Sequence, residues 1–167
     1  FNGTGSNVIA LQLLTRPYNS IICAETAHVY VDECGSPVKM TGCQIRPVAT
    51  PDGKLTPELI VPYLHGFGDQ HHSQPGAVYL SECTELGTIY TPEELRAITA
   101  LAHQHGMRVH MDGARIANAC AALGLPLKAL TVDCGIDVLS FGGTKNGLMM
   151  GECVIVFDDS LKVEARF

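Results

Sequence analysis

Short apolar runs alternate along this chain with helix-length amphipathic segments, and this alternation limits the possible folds more than any other feature. Parallel strands need a connection of a dozen or more residues, which a crossover helix supplies. The pattern therefore predicts an α/β class with a mostly parallel sheet and flanking helices. The predicted strands are residues 20–24, 43–48, 77–81, 108–111, 138–141 and 153–157, and the predicted helices are residues 6–15, 57–64, 92–105 and 115–123.

The predicted helix from Pro92 has the clearest boundaries. Thr91 and Glu94 form the pattern of a capping box, Pro92 takes the first helical position, and Gly106 follows the last apolar residue as a stop signal. The polar stretch 66–76 is too short to link two domains, so the 167 residues predict one domain.

Composition excludes several classes of protein. The net charge is -6 and Lys and Arg do not cluster, so nucleic acid is not an expected partner. No apolar stretch approaches the roughly 20 residues that span a bilayer, and no signal peptide is recognisable. The seven cysteines lack a C-x-x-C pair, which argues against zinc and disulfide frameworks. We expect reduced, mostly buried thiols in a cytoplasmic protein without a membrane partner.

The first residues, FNGTGSN, lead directly into an amphipathic segment. Glycine-rich backbone N–H groups at a helix start favour an anion, so this segment is a candidate anion site. The spacing fits neither a dinucleotide fingerprint nor a P-loop. The alternative is an ordinary loop in which Ser6 or Asn7 caps the helix.

A second candidate lies where a predicted strand gives way to a helix, in HMDGAR at residues 110–115. Open α/β sheets bind ligands at the carboxyl ends of their strands, which places Asp112 and Arg115 at such an edge. The alternative is structural: Asp112 caps the next helix and pairs with Arg115.

The third candidate is Lys145, within SFGGTKNG at residues 140–147. A lysine in an apolar, dry pocket loses its proton easily and becomes a nucleophilic amine. The alternative is a turn with a solvated lysine.

His28 directly follows a predicted strand, although a lone histidine is more often a satisfied polar residue than a catalyst. A metal hydrolase that uses His110, Asp112 and either His71 or His72 is a further alternative.

Together these features match the needs of pyridoxal phosphate. Its phosphate needs helix N–H groups, its ring a stacking partner, its pyridine nitrogen a carboxylate, and its aldehyde a lysine.

The same motifs resemble the threonine aldolase family, within the fold type I, aspartate-aminotransferase-like group of pyridoxal-phosphate enzymes. The resemblance covers nearly the whole chain and rests on NGTGSN at residues 2–7, on His28 with Glu33 and Gly35, on SECTELGTIY at 81–90, on HMDGARI at 110–116 and on SFGGTKNG at 140–147. It implies cleavage of the Cα–Cβ bond of a β-hydroxy amino acid, L-threonine or L-allo-threonine, to glycine and an aldehyde, in a homodimer or homotetramer without a metal.

The resemblance also implies a role for each site residue. Lys145 matches the lysine that binds the cofactor, Asp112 the partner of the pyridine nitrogen, and His28 the histidine that stacks on the ring and acts at the β-hydroxyl. The remaining cofactor contacts are Gly3, Thr4 and Gly5 at the phosphate, Arg115 beside the cofactor, and Thr144 as a further phosphate contact.

This chain departs from the family pattern in two ways. Glu85 stands where many members have a second active-site histidine. A glutamate at this position resembles the branch of the family that contains low-specificity and phenylserine-type aldolases. Family members also have residues before the phosphate loop and a small C-terminal domain, so residues 1–167 are expected to form a pyridoxal-phosphate-binding large domain that is incomplete at both ends. The alternatives are a phenylserine aldolase, a β-eliminating lyase, an aminotransferase or a non-catalytic fragment.

Overall fold

A computed structural model describes residues 2–167 and contains one six-stranded sheet. The strands are β1 (Asn19–Ala24), β2 (Gln44–Val48), β3 (Gln74–Ser81), β4 (Arg108–Gly113), β5 (Val138–Gly142) and β6 (Glu152–Val156), in the order β2-β1-β3-β4-β5-β6. The first five are parallel, and β6 joins β5 in the antiparallel sense. All six predicted strands are confirmed, and the largest change is that β3 begins at Gln74.

The α-helices are α1 (Gly3–Leu14), α2 (His28–Val31), α3 (Ser36–Thr41), α4 (Pro57–Ile60), α5 (Pro92–Gln104) and α6 (Ile116–Leu123). A 3-10 turn at Val61–Tyr63 continues α4, so the predicted 57–64 helix is divided in two. The four predicted helices are confirmed, whereas the short helices α2 and α3 were not predicted.

Helix α5 begins and ends as its sequence predicts. The Thr91 hydroxyl accepts from the Glu94 N–H, the Glu94 side chain accepts from the Thr91 N–H, and Gly106 follows the helix with a φ of 70°. A positive φ is easy for glycine, and it turns the chain into β4.

The core lies between the sheet and its helices. Ile21 and Ile22 are adjacent on β1 and both fully buried, because each face of a mostly parallel sheet is covered. Leu95 and Ile98 of α5 are buried in the same cluster. The cysteines are free thiols, but only three of the seven are buried, so the prediction of mostly buried thiols was wrong. Cys34 and Cys153 are exposed because they lie in a turn and on the edge strand β6.

No single helix within residues 2–167 is long and apolar enough to cross a membrane. The segments Ile116–Leu123 and Leu127–Cys134 reach that length and composition only as a pair, and they are bent by 107° at the break between them.

A buried histidine in the middle of β4 predicts how stability depends on pH. His110 is fully buried, and its Nε2 atom lies 2.9 Å from the Ser140 hydroxyl. Burial lowers the pKa of His110 to about 4. Between pH 6.5 and 4 the unfolded chain therefore binds a proton at this residue that the folded chain does not bind. The contribution of His110 to the free energy of unfolding is therefore fully present above pH 6.5 and is lost as the pH falls towards 4.

We expect His110 to account for a loss of about 2 kcal/mol in the free energy of unfolding between pH 7 and pH 5. Urea unfolding of the full protein at both pH values measures this loss. The difference in the free energy of unfolding between pH 7 and pH 5 should be smaller by this amount in His110→Gln than in the parent. His105→Gln, at an exposed position, is the control. Equal slopes in parent and His110→Gln would show that another group carries the dependence.

Candidate active site

The carboxyl ends of the central strands and the start of α1 surround a cleft of about 480 Å³. Open α/β sheets bind their ligands at this edge. Seven of the eight predicted site residues line the cleft: Gly3, Thr4, His28, Asp112, Arg115, Thr144 and Lys145. The eighth, Gly5, is not part of the lining, and its N–H donates to the Asn2 side chain that caps α1.

The N-terminus of α1 opens into the cleft. The Asn2 side chain accepts from the Gly5 N–H at 3.2 Å and so caps the helix. The first N–H groups of a helix have no partner within it, and Gly3 and Thr4, at the start of α1, line the cleft. A Cβ built on Gly3 would meet no atom within 4 Å, so this position opens on free space. The arrangement suits a bound anion.

The predicted start of this helix was wrong. Ser6 and Asn7 do not cap α1; both are buried within it, and Asn7 makes tertiary hydrogen bonds. The helix begins at Gly3 because Asn2 supplies the cap, although glycine lowers the intrinsic preference for a helix there.

Asp112 reaches the cleft because β3 and β4 pair in register, with Ser81 opposite Asp112. Three donors converge on its carboxylate. Oδ2 accepts from the Tyr79 hydroxyl at 2.7 Å and from the Asn7 amide at 2.9 Å, and Oδ1 accepts from the Ala114 N–H at 2.9 Å. These bonds fix the carboxylate in a nearly buried position.

The structural alternative for Asp112 holds only in part. The bond from the Ala114 N–H does turn the chain towards α6, but the ion pairs within residues 2–167 do not include Asp112 with Arg115. The Arg115 side chain instead lines the cleft.

Lys145 lies in a 3-10 turn, Thr144–Asn146, directly after β5. The turn packs closely on the chain that follows β4: a Cβ on Gly142 would lie 2.6 Å from the Ala114 Cα, and the Asn146 amide donates to the Ala114 and Gly142 carbonyls. Lys145 lines the cleft but is exposed, so the dry apolar pocket expected around it is not found in this chain. The turn places the lysine at the mouth rather than on the floor.

Behind the cleft lies a buried network that the sequence motifs did not reveal. The Asn7 amide donates to Glu33 Oε1 at 2.7 Å and to Asp112 Oδ2 at 2.9 Å, so one side chain bridges two carboxylates. Tyr79 contributes its hydroxyl from β3. One nitrogen of His28 and one oxygen each of Glu33 and Asp112 lie within 4.8 Å of one another. The hydroxyl of Tyr79, which lies between apolar neighbours in the middle of β3, was the available signal.

His28 is fixed at both its backbone and its ring. Its N–H donates to Glu85 Oε1 at 2.8 Å, the same oxygen that accepts from the Ser81 hydroxyl at 2.7 Å. Its Nδ1 lies 2.9 Å from Glu33 Oε1. Burial raises the pKa of Glu33, while the hydrogen bonds from Asn7 and His28 oppose that rise. Glu85 thus locates the start of α2.

The metal-hydrolase residues do not come together. His110 is bonded to Ser140, and His71 and His72 precede β3, at the amino edge of the sheet, whereas Asp112 lies at the carboxyl edge. Parallel strands keep these two edges apart, so this interpretation was wrong.

Comparison with known proteins agrees with this geometry. The family model described as beta-eliminating lyase matches residues 1–166. The chain belongs to the beta-eliminating lyase family.

Named relatives are similar along most of the chain. The low specificity L-threonine aldolase of Pseudomonas aeruginosa is 46% identical over 162 residues, which cover 96% of this chain and 47% of the relative. The low-specificity L-threonine aldolase of Eremothecium gossypii is 42% identical over 130 residues, 76% of this chain and 34% of the relative. This member of the beta-eliminating lyase family therefore spans about half the length of the most similar of these relatives.

A solved structure confirms the fold class. The threonine aldolase of Leishmania major superposes with a TM-score of 0.90 at 36% identity, and covers 99% of this chain and 48% of that chain. The prediction of a mostly parallel α/β domain of the fold type I group is confirmed, and so is the resemblance to threonine aldolases.

Proposed function

We propose that the protein carrying this chain is a pyridoxal-phosphate-dependent lyase that cleaves L-threonine or L-allo-threonine to glycine and acetaldehyde. The observation that carries the proposal is the cleft itself, where an anion site, an imidazole, a fixed carboxylate and a lysine converge. The names of the two relatives described above support the same substrate class.

The residues of the cleft fit this cofactor. The open start of α1 suits its phosphate, with the N–H groups of Gly3 and Thr4 as donors, and Thr144 also lines the cleft. Asp112 is the acceptor for the pyridine nitrogen, and its three hydrogen bonds hold it for that purpose. Lys145 is the amine that binds the cofactor covalently. When bound, pyridoxal phosphate supplies an electron sink for the charge that develops at the α-carbon.

The chain's own side chains perform the remaining tasks. His28, with its ring partly exposed in the cleft, accepts the proton of the substrate's β-hydroxyl. Arg115 adds a positive charge beside the anionic ligands. Glu85 keeps His28 in place through the N–H of that residue.

We further propose that residues 1–167 act as the cofactor-binding domain of a cytoplasmic homodimer or homotetramer. Leu148, Met149 and Met150 are exposed beside the cleft, and such an apolar rim supports a subunit interface next to the site. The exposed free thiols of Cys34 and Cys153 support a reducing compartment.

Product analysis of the full protein tests the function. With pyridoxal phosphate and L-threonine or L-allo-threonine, we expect equal amounts of glycine and acetaldehyde, with no product when the cofactor is removed. The family match makes β-elimination the second candidate, since it would release ammonia and 2-oxobutanoate from the same substrates. That product pair, without glycine, would replace the aldolase assignment by the elimination.

A further inference from the structure

We propose that Glu33 is a positioning residue that sets the tautomer of His28, so that the histidine presents an unprotonated Nε2 to the cleft. The proposal rests on the proposed function, because it gives His28 the state that a base for the β-hydroxyl needs. Glu33 itself touches neither the cleft nor a ligand in it: it is buried and is not part of the lining.

The contact between the two side chains defines the tautomer. His28 Nδ1 lies 2.9 Å from Glu33 Oε1. That oxygen also accepts from the Asn7 amide at 2.7 Å, so it is held as an acceptor, and the hydrogen in the bond to His28 belongs to Nδ1. A neutral imidazole with its hydrogen on Nδ1 has its lone pair on Nε2. His28 lines the cleft and Glu33 lies behind it, so the free nitrogen is on the ligand's side.

Asn7 holds the Glu33 carboxylate in place. Its amide bridges Glu33 and Asp112, two carboxylates that would otherwise repel each other across less than 4.8 Å. The other oxygen of Glu33, Oε2, is buried without a hydrogen-bond partner among residues 2–167. Within residues 2–167 the hydrogen bonds to the Glu33 carboxylate are therefore both at Oε1, and the His28 ring has this one oxygen as its partner at Nδ1.

In the proposed bond cleavage, one proton moves from the substrate to His28. The O–H bond of the β-hydroxyl breaks and an N–H bond forms at Nε2. The oxygen keeps the electron pair and forms the aldehyde carbonyl as the Cα–Cβ bond breaks, and that bond's pair stays with Cα. His28 becomes a cation beside Glu33, and a negative partner stabilises that charge.

Two substitutions separate the two effects of Glu33. Glu33→Gln keeps an oxygen at the Oε1 position, where both donors are, and places its NH₂ at the unpartnered Oε2 position, so it removes the charge but keeps the acceptor. Glu33→Met removes both. Glu25→Gln, at an exposed position after β1, is the matched control.

The first measurement is ¹⁵N NMR of histidine-labelled full protein without cofactor or substrate, which reports the two ring nitrogens of His28 directly. We expect a protonated Nδ1 and an unprotonated Nε2 in the parent, in Glu25→Gln and in Glu33→Gln. In Glu33→Met the hydrogen should move to Nε2 in a large share of the molecules. A parent protein whose His28 carries its hydrogen on Nε2 would overturn the proposal, whether or not the protein is an aldolase.

The second measurement is steady-state kinetics on the substrate that the parent cleaves. We expect Glu33→Gln to lower kcat about 10- to 100-fold, while KM changes by less than about 3-fold. In a His28→Asn background the same substitution should have no further effect, because Glu33 acts through His28. An equal fall in both backgrounds would contradict the proposal and leave Glu33 a structural role. If Glu33→Met does not fold, Glu33→Gln still decides between these outcomes.

Discussion

Replacing Lys145 by alanine in the full protein is expected to lower turnover by about three orders of magnitude or more. The lysine lies at the mouth of the cleft that also contains the anion site and Asp112, and no other lysine lines that cleft. If Lys145 holds the cofactor as proposed, removing its amine would remove the covalent attachment of the cofactor. The absorbance of the bound cofactor should change together with the rate, and coupled reduction of the aldehyde measures that rate.

Other lysines supply the control for this prediction. Lys128 is exposed, pairs with Asp133 at 2.9 Å and does not line the cleft, so Lys128→Ala should retain parental activity. Borohydride reduction followed by peptide mapping should place the cofactor label on Lys145. A label on Lys39, Lys54 or Lys128 would refute the assignment.

Asp112→Asn is expected to lower kcat by about two to four orders of magnitude, while cofactor binding is partly retained. The neutral amide cannot stabilise a positive charge on the pyridine nitrogen. Both oxygens of Asp112 accept hydrogen bonds, so the NH₂ of the asparagine would face a donor at whichever of the two oxygen positions it occupied. We therefore expect a lower melting temperature as well. Cofactor titration and thermal unfolding would separate the two effects.

Asp133→Asn, on the surface, tests whether any loss of an aspartate has this effect, and it should leave both kcat and cofactor binding unchanged. If Asp112→Asn turned over at the parental rate, Asp112 would have only the structural role of turning the chain towards α6.

The sheet was predictable because buried strands have a simple signature. Continuous apolar runs such as that of β1 are covered on both faces, and all six strands were identified, although β2 and β4 also contain polar residues. The direction of β6 was not foreseen, although the connection of residues 143–151 has no crossover helix, which parallel pairing would have required.

The short helices could not be predicted from local sequence. α2 covers only His28–Val31 and has no apolar period; a tertiary bond from the His28 N–H to Glu85 locates it. Likewise, the sequence showed that Asp112 ends a strand, but it did not show that Asn7 would connect it to Glu33. Such bonds join residues far apart in the chain, and only the packed structure determines their partners.

The antiparallel pairing of β5 and β6 makes the lysine turn a replaceable unit for protein engineering. Gly142 and Glu152 lie opposite each other in the sheet, so the segment between them leaves the sheet and returns to it at the same place. The free energy of closing such a loop grows only slowly with its length, and a graft between fixed ends leaves the rest of the fold in place. Leu148, Met149 and Met150 belong to this unit. Under the proposed function, new substrate ranges could therefore be selected by exchanging residues 147–151, while Asn146, which donates to the Ala114 carbonyl, and the site residues on α1 and β4 stay unchanged.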